Sequence, residues 1–191
     1  MRKKLKTLSD TELAVLARDG NAAAFEEIYD RHAPGVARAL ASFAGANADV
    51  LDDLVQDVFC KVLEGLASYV PQRPFPHWLY TIALNRGRNH VRDHARELSV
   101  DPSEIDSRAS REKSSADCSD DIIGAKLMRL VTSLSEELRE VVFLRIGADL
   151  RYGEIGDILG IPEGTARSRM HNAIASLRER LGLASLESKK E

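Results

Sequence analysis

Acidic side chains cluster at Asp52-Asp53-Leu54-Val55-Gln56-Asp57 densely enough to hold a divalent cation, but no second aspartate cluster faces them. His90 and His94 stand one helical turn apart, a spacing that could suit a metal, yet no glutamate accompanies them as in a metalloprotease helix. Cys60 falls in a helical pattern, where a thiol packs as a small apolar group. None of these sets assembles a reaction centre, so no catalytic residue, cofactor or metal is expected. Two cationic clusters remain. Asn85, Arg86, Arg88, Asn89, Arg92 and Arg96 are expected on the outer surface of one helix, opposed by Asp93. Such a run is commonly just a solvated face, but clustered Arg and Asn can also contact phosphates and unpaired bases. The aromatic, proline-rich loop ahead of them, Tyr69 to Pro76, offers stacking surfaces, whereas Trp78 reads as core.

The second cluster comes with a framework. Tyr152 to Leu159 reads as a short helix with Ile155, Ile158 and Leu159 inward, followed by Gly160-Ile161-Pro162-Glu163-Gly164-Thr165 and a longer helix. Gly160 supplies a left-handed turn residue, Ile161 plugs the core and Pro162 starts the next helix. Ala166, Met170, Ala173, Ile174, Leu177 and Leu181 form a buried stripe, leaving Thr165, Arg167, Ser168, Arg169, His171 and Asn172 outside. This is a helix-turn-helix: the second helix fits the major groove, hydroxyls and the Gly164 and Thr165 amides can hold phosphates, and arginines reach base edges. A plain helical hairpin with solvated polar residues would not require the turn, the Gly-Thr helix entry and the alternating arginines together.

The elements that position these clusters are helical. Ser9-Asp10-Thr11-Glu12 is a capping box, with Leu8 and Leu13 placed as a hydrophobic staple and Gly20 closing the helix. Asn21 can cap a second helix bearing Phe25, Ile28, Tyr29, Val36, Leu40 and Phe43, which Pro34 should kink or break. Leu51, Leu54, Val55, Val58, Phe59, Val62, Leu63 and Leu66 recur at three- and four-residue steps, leaving an acidic outer face. A fourth helix runs from about Phe75 to Arg96 with Trp78, Leu79, Ile82 and Ala83 inward. Ser, Asp, Glu, Arg and Lys then dominate, with too little apolar surface to offset chain entropy, so a flexible linker is expected at 97–119. Beyond it Leu127, Leu130, Val131 and Leu134 mark one helix and Leu138 to Ile146 another, ending at Gly147.

The expectation is an all-α chain of two small helical domains, 1–96 and 120–183, with a frayed tail at 184–191. A hydrophobic share of 43% sustains two cores, while 30% charged and 5% aromatic residues suit charge-covered helices better than a sandwich or barrel. A net charge of −3 argues against coating nucleic acid indiscriminately, so DNA contact must come from local patches. Two cysteines cannot build a disulfide framework, and neither a signal peptide nor a membrane span is visible; a cytoplasmic location without membrane insertion follows as an expectation.

Taken together, Leu51-Asp-Asp-Leu-Val-Gln-Asp-Val-Phe59, Phe75-Pro-His-Trp-Leu-Tyr-Thr-Ile-Ala-Leu-Asn85 and Leu138-Arg-Glu-Val-Val-Phe-Leu-Arg145 with Tyr152 to Arg169 resemble the extracytoplasmic-function sigma factors of bacterial RNA polymerase. The resemblance runs from about Leu8 to Leu181. It implies that Asp53, Gln56, Asp57 and Lys61 dock on the polymerase core. It implies that the Gln72 to His77 loop, with Arg73, and Asn85, Arg86, Arg88, Asn89 and Arg92 contact the −10 promoter element as its strands separate. It implies that Tyr152, Gly164, Thr165, Arg167, Ser168, Arg169 and His171 serve the −35 element, and that an anti-sigma factor is a further partner. Leu84 stands where that family usually has Arg, Asn89 where Asp is usual, Arg151 where Ser would cap a helix, and Ser135 where Pro is common; these departures are expected mostly on the DNA-facing side.

Two rival readings are weaker. The aspartate cluster departs by one residue from the magnesium site of helical prenyl-transferring enzymes, and the chain is short for an isoprenoid pocket. A regulator controlled by ligand or phosphorylation also carries Glu-Gly-Thr-Ala-Arg helix-turn-helices, but its receiver would alternate strands with helices, and the N-terminal half here does not.

Overall fold

The computed structural model describes residues 2–44, 47–100 and 119–182, with side chains at 4–44, 47–96 and 126–182. All regular structure among these residues is helical, in the order α1 (Arg2–Leu5), α2 (Asp10–Arg18), α3 (Ala22–Ala44), α4 (Ala48–Gly65), α5 (Phe75–Val100), α6 (Ser119–Thr132), α7 (Glu136–Val142), α8 (Tyr152–Leu159) and α9 (Glu163–Arg180). A 3-10 turn at Leu66–Ser68 follows α4, and a π turn at Phe143–Gly147 continues α7.

In the first body, α1 to α5, the capping box forms as expected: the Glu12 amide donates to Ser9 Oγ and the Ser9 amide to Glu12 Oε2. Asn21 Oδ1 accepts from the Ala24 amide at 3.2 Å. Helix α3 runs unbroken through Pro34, so of the expected kink or break the break does not occur. The helix hydrogen bond lost at proline is offset because the residues beyond it, Val36, Ala39, Leu40 and Phe43, all bury against neighbouring helices. Leu54, Val55, Val58, Phe59 and Val62 of α4 meet Phe75, Leu79, Ala83 and Leu84 of α5, whereas Leu63 is exposed and does not join the core. Leu84 is buried, so its departure from the family pattern lies in the core and not on a DNA face.

Arg31 fastens the N-terminal end of this body. Its guanidinium donates to the carbonyls of Leu5, Lys6 and Leu8, to Asp10 Oδ1 at 3.0 Å and to Glu27 Oε1 at 2.9 Å. His32 Nε2 lies 3.0 Å from the other Asp10 oxygen. The contact with His32, reinforced by Arg31 and opposed by burial, holds the Asp10 carboxyl below its ordinary value. A depressed carboxylate stabilises the fold above the unfolded-state pKa and loses that contribution as pH falls through the folded one. Asp10→Asn is therefore expected to cost about 1–3 kcal/mol at neutral pH, with the gap to wild type closing in acid. Urea unfolding from pH 7 downward checks this; a gap that persists below the carboxylate range would count against it.

The second body, α6 to α9, carries Val131, Leu134, Val141, Leu144, Ile155, Ala166, Met170 and Ala173 in its core. Gly160 takes φ 67° at the end of α8, the left-handed turn expected of it. A Cβ on Gly156 would come within 2.7 Å of the Ile161 carbonyl, so the turn also presses close against α8. Ile174 is exposed, contrary to the expected stripe, and so is Ile146. The π turn adds a residue to the helical turn, which shifts the residues after Val142 out of the α-helical phase that had placed Ile146 inside.

The two bodies meet along α3. The Phe143 ring sits edge-on to Phe43 at 5.4 Å and to Tyr80 at 6.5 Å, and Gly147 packs on the backbone of Ala39. Arg139 and Glu140, both charged, are buried beside this contact. Helix α5 continues to Val100 and α6 begins at Ser119; the remainder of the expected linker, 101–118, and the expected tail at 184–191 lie outside the described residues. No helix among the described residues is long and apolar enough to cross a membrane.

Candidate nucleic-acid interface

The exposed side of α9 is built from its first two turns. Arg167 is two-thirds exposed, Gly164, Ser168 and His171 are exposed, and Thr165 is half-buried. Arg167 donates to Glu163 Oε1 at 2.7 Å, and its guanidinium lies 5.5 Å from the centre of the Tyr152 ring. Arg169 is turned back toward the body and pairs with Glu137 at 3.0 Å, so it is less available than the sequence suggests. The Thr165 amide donates to the Pro162 carbonyl within the turn, which leaves Gly164 as the better of the two expected phosphate-binding amides. Arg151 precedes α8 without a capping side chain; its amide is satisfied by Glu154 Oε2 at 2.7 Å.

On α5, Asn85, Asn89 and Arg92 are exposed, and Arg88 joins them on one face at three- and four-residue steps. Arg92 donates to Asn89 at 2.8 Å and Arg88 to Asn85 at 3.4 Å, a ladder that spaces the cations along the helix. Arg86 does not belong to this face. It points at α4 and pairs with Asp57, with Nε at 2.9 Å from Oδ2; it lies about 100° of helical rotation from Asn85 and about 60° from Asn89, at the edge of the face. The expected contact residues of two different surfaces thus bind each other. Gln72 and Arg73 are exposed in the loop before α5, and Trp78 is partly exposed, with its ring between Tyr69 and Phe75.

Helix α4 presents Asp53, Gln56 and Lys61 to solvent, Lys61 paired with Glu64 at 2.8 Å. Glu64 raises the Lys61 ammonium above its ordinary pKa, so it stays charged. Cys60 and Leu63 share the exposed face, and Leu63 is an apolar contact the sequence reading had assigned to the core.

The second body closes on part of the α5 surface. Arg88 hydrogen-bonds the buried Glu140 and approaches Glu136 at 3.6 Å; Glu140 raises the Arg88 pKa first, against burial. His77 Nε2 lies 3.3 Å from Glu154 Oε1. Gln72, Arg73, Pro74, His77, Trp78 and Thr81 line a cleft of about 440 Å³ whose far wall is Asp157 and Ile158 of α8. Sequence reasoning missed Glu136 and Glu140 as partners of Arg88 and Glu154 as a partner of His77. Nothing local marks pairs 52 and 77 residues apart.

Residues 28–97 match the family Sigma-70 region 2, and residues 130–179 match Sigma-70, region 4. The chain is 36% identical over 170 residues to the RNA polymerase sigma factor CarQ of Myxococcus xanthus, covering 89% of this chain and 96% of that one. It is 32% identical over 183 residues to the ECF RNA polymerase sigma factor SigE of Mycolicibacterium smegmatis, covering 93% and 70%. Among solved structures, it is similar to CnrH in complex with the cytosolic domain of CnrY, with a TM-score of 0.70 at 29% identity over 92% of this chain and 99% of that one. It is also similar to the sigma factor RpoE of Bartonella quintana in complex with the anti-sigma factor NepR, with a TM-score of 0.63 at 25% identity over 84% and 98%.

Proposed function

The chain belongs to the extracytoplasmic-function sigma factors of RNA polymerase, and from that premise we propose how its surfaces divide the work of promoter recognition. A sigma factor makes no bond; it brings core polymerase to a promoter and helps the strands part by capturing unstacked bases. Residues 1–96 form the domain that binds core and the −10 element, and 120–183 the domain that binds the −35 element. Asp53, Gln56 and Lys61, with Asp57, dock on core through the charged face of α4. Asn85, Arg88, Asn89 and Arg92 contact the −10 strands, with Gln72, Arg73 and His77 at the cleft; Arg86 serves indirectly, through Asp57. Gly164, Thr165, Arg167, Ser168 and His171 meet the −35 duplex, with Tyr152 serving it through Arg167 and Arg169 joining once it leaves Glu137. The observation that carries this reading is the exposed face of α9, where an arginine held at its base by a glutamate and a tyrosine stands on a helix-turn-helix. An anti-sigma factor is a further proposed partner, by analogy with RpoE and NepR.

Transcription in vitro, with core polymerase and promoter DNA, tests the reading: the chain is expected to direct initiation from a defined set of start sites. Arg167→Ala is expected to weaken −35 binding about tenfold with core affinity intact, and Asp53→Ala to weaken core binding with −35 binding intact. Asp53 is chosen because Asp57 also holds Arg86. No stimulation and no association with core would end the proposal, and equal losses in both assays would mean misfolding.

A further inference from the structure

The arginine expected to read the −35 element does not stand alone. Tyr152, the first residue of α8, has two guanidinium groups against its ring, Arg167 at 5.5 Å and Arg145 at 5.6 Å. Arg145 is itself anchored, its Nη1 donating to the Leu150 carbonyl at 3.1 Å and to Asp149 Oδ1 at 3.2 Å. Asp149 holds a left-handed backbone, φ 54°, the one non-glycine residue with positive φ among those described. Aspartate tolerates this conformation, and here its exposed carboxylate turns back to the arginine beside the ring. On the other side Glu163, one turn before Arg167, accepts from its guanidinium at 2.7 Å.

An exposed arginine ordinarily samples many rotamers, and that freedom is lost each time it binds a base edge in the fixed geometry of a fork. A ring face and a carboxylate that already confine the guanidinium lower this cost for the base whose acceptors lie in the preset direction, and do nothing for other bases. We infer that Tyr152 and Glu163 are positioning residues that set the base preference of Arg167 at the −35 element, with Arg145 bracing the Tyr152 ring. This deepens the role proposed above for Arg167 and rests on it. The ring acts through the arginine, so its loss blunts discrimination between bases and leaves the number of phosphate contacts unchanged. A merely structural tyrosine would weaken all sequences alike.

The test is binding of the full chain, in complex with core polymerase, to promoters carrying each single-base change in the −35 element, read as discrimination at each position and as the slope of affinity against salt. Arg167→Ala is expected to erase preference at its position, about tenfold. Tyr152→Leu is expected to lose about two- to fivefold of that same preference with the salt slope unchanged, and to add nothing in an Arg167→Ala background. Tyr152→Phe, which keeps the ring, holds the preference within about twofold. Glu163→Gln, on an exposed and well-formed helix, loses about twofold and decides the matter should Tyr152→Leu fail to fold. If Arg167→Ala alone alters base preference while Tyr152→Leu and Glu163→Gln lower affinity uniformly, the positioning role is overturned. If Arg167→Ala leaves preference unchanged, the proposed contact falls and the inference with it.

Discussion

Gly147→Val is expected to part the two helical bodies. A Cβ at this position would overlap the Ala39 backbone and come within 2.6 Å of its amide nitrogen, and neither main chain can rotate away as a side-chain tip would. Gly147 is not among the positive-φ glycines, so valine meets no left-handed strain there, and the main effect falls on the contact. Separation exposes Phe143, which is 1% exposed, together with the neighbouring faces of Phe43 and Tyr80. At about 25 cal/mol per Å² of apolar surface, rings of this size are worth several kcal/mol together. The expected result is a larger radius in small-angle scattering and a lower melting temperature, with helix content by circular dichroism unchanged. Parting also frees Arg88 from Glu140 and His77 from Glu154, so affinity of the isolated chain for single-stranded DNA is expected to rise. An unchanged radius would mean that the bodies do not rest on each other through Gly147.

This contact is what the sequence conceals. Local rules place the helix-turn-helix because Gly160, Ile161 and Pro162 each act within a few residues, and the Ser9 to Glu12 box is legible for the same reason. The face of Asn85, Arg88, Asn89 and Arg92 follows from helical spacing, but Arg86, three residues before Asn89, falls at the edge of that face, and only Asp57 on α4 decides which way it turns. Arg139 and Glu140 resist such reading. Charged residues within Leu138-Arg-Glu-Val-Val142 count as surface by composition, yet both are buried, each against a group of the other body: Arg139 lies 5.7 Å from the centre of the Phe43 ring, with Nη2 donating locally to the Leu134 carbonyl at 2.8 Å and Nε left without a partner, and Arg88 reaches Glu140. Gly147 reads as a helix end; its use as a bare surface for Ala39 depends on a partner helix that no spacing in the C-terminal half announces.

Arg88→Ala tests whether that partnership is energetic or incidental. Removing the guanidinium leaves the Glu140 carboxylate, 5% exposed, without its hydrogen-bonded partner and with only the Arg139 charge beside it; because Arg88 is itself 36% exposed, the cost is expected to be about 2–3 kcal/mol, less than for a fully buried pair. Glu140→Gln leaves instead a one-third exposed arginine that water and Glu136 can still satisfy, so it is expected to cost about 1 kcal/mol. The loss in Arg88→Ala has a ceiling, because the chain can relieve it by opening and hydrating Glu140, at which point the substitution costs no more than the contact between the bodies is worth. Gly147→Val removes that same contact. Urea unfolding of the double variant is therefore expected to show little loss beyond Gly147→Val alone, a non-additivity that neighbouring but independent sites would not give. Full addition of the two single effects would place the Arg88 to Glu140 pair outside the energetics of the contact and make closure a matter of aromatic packing alone.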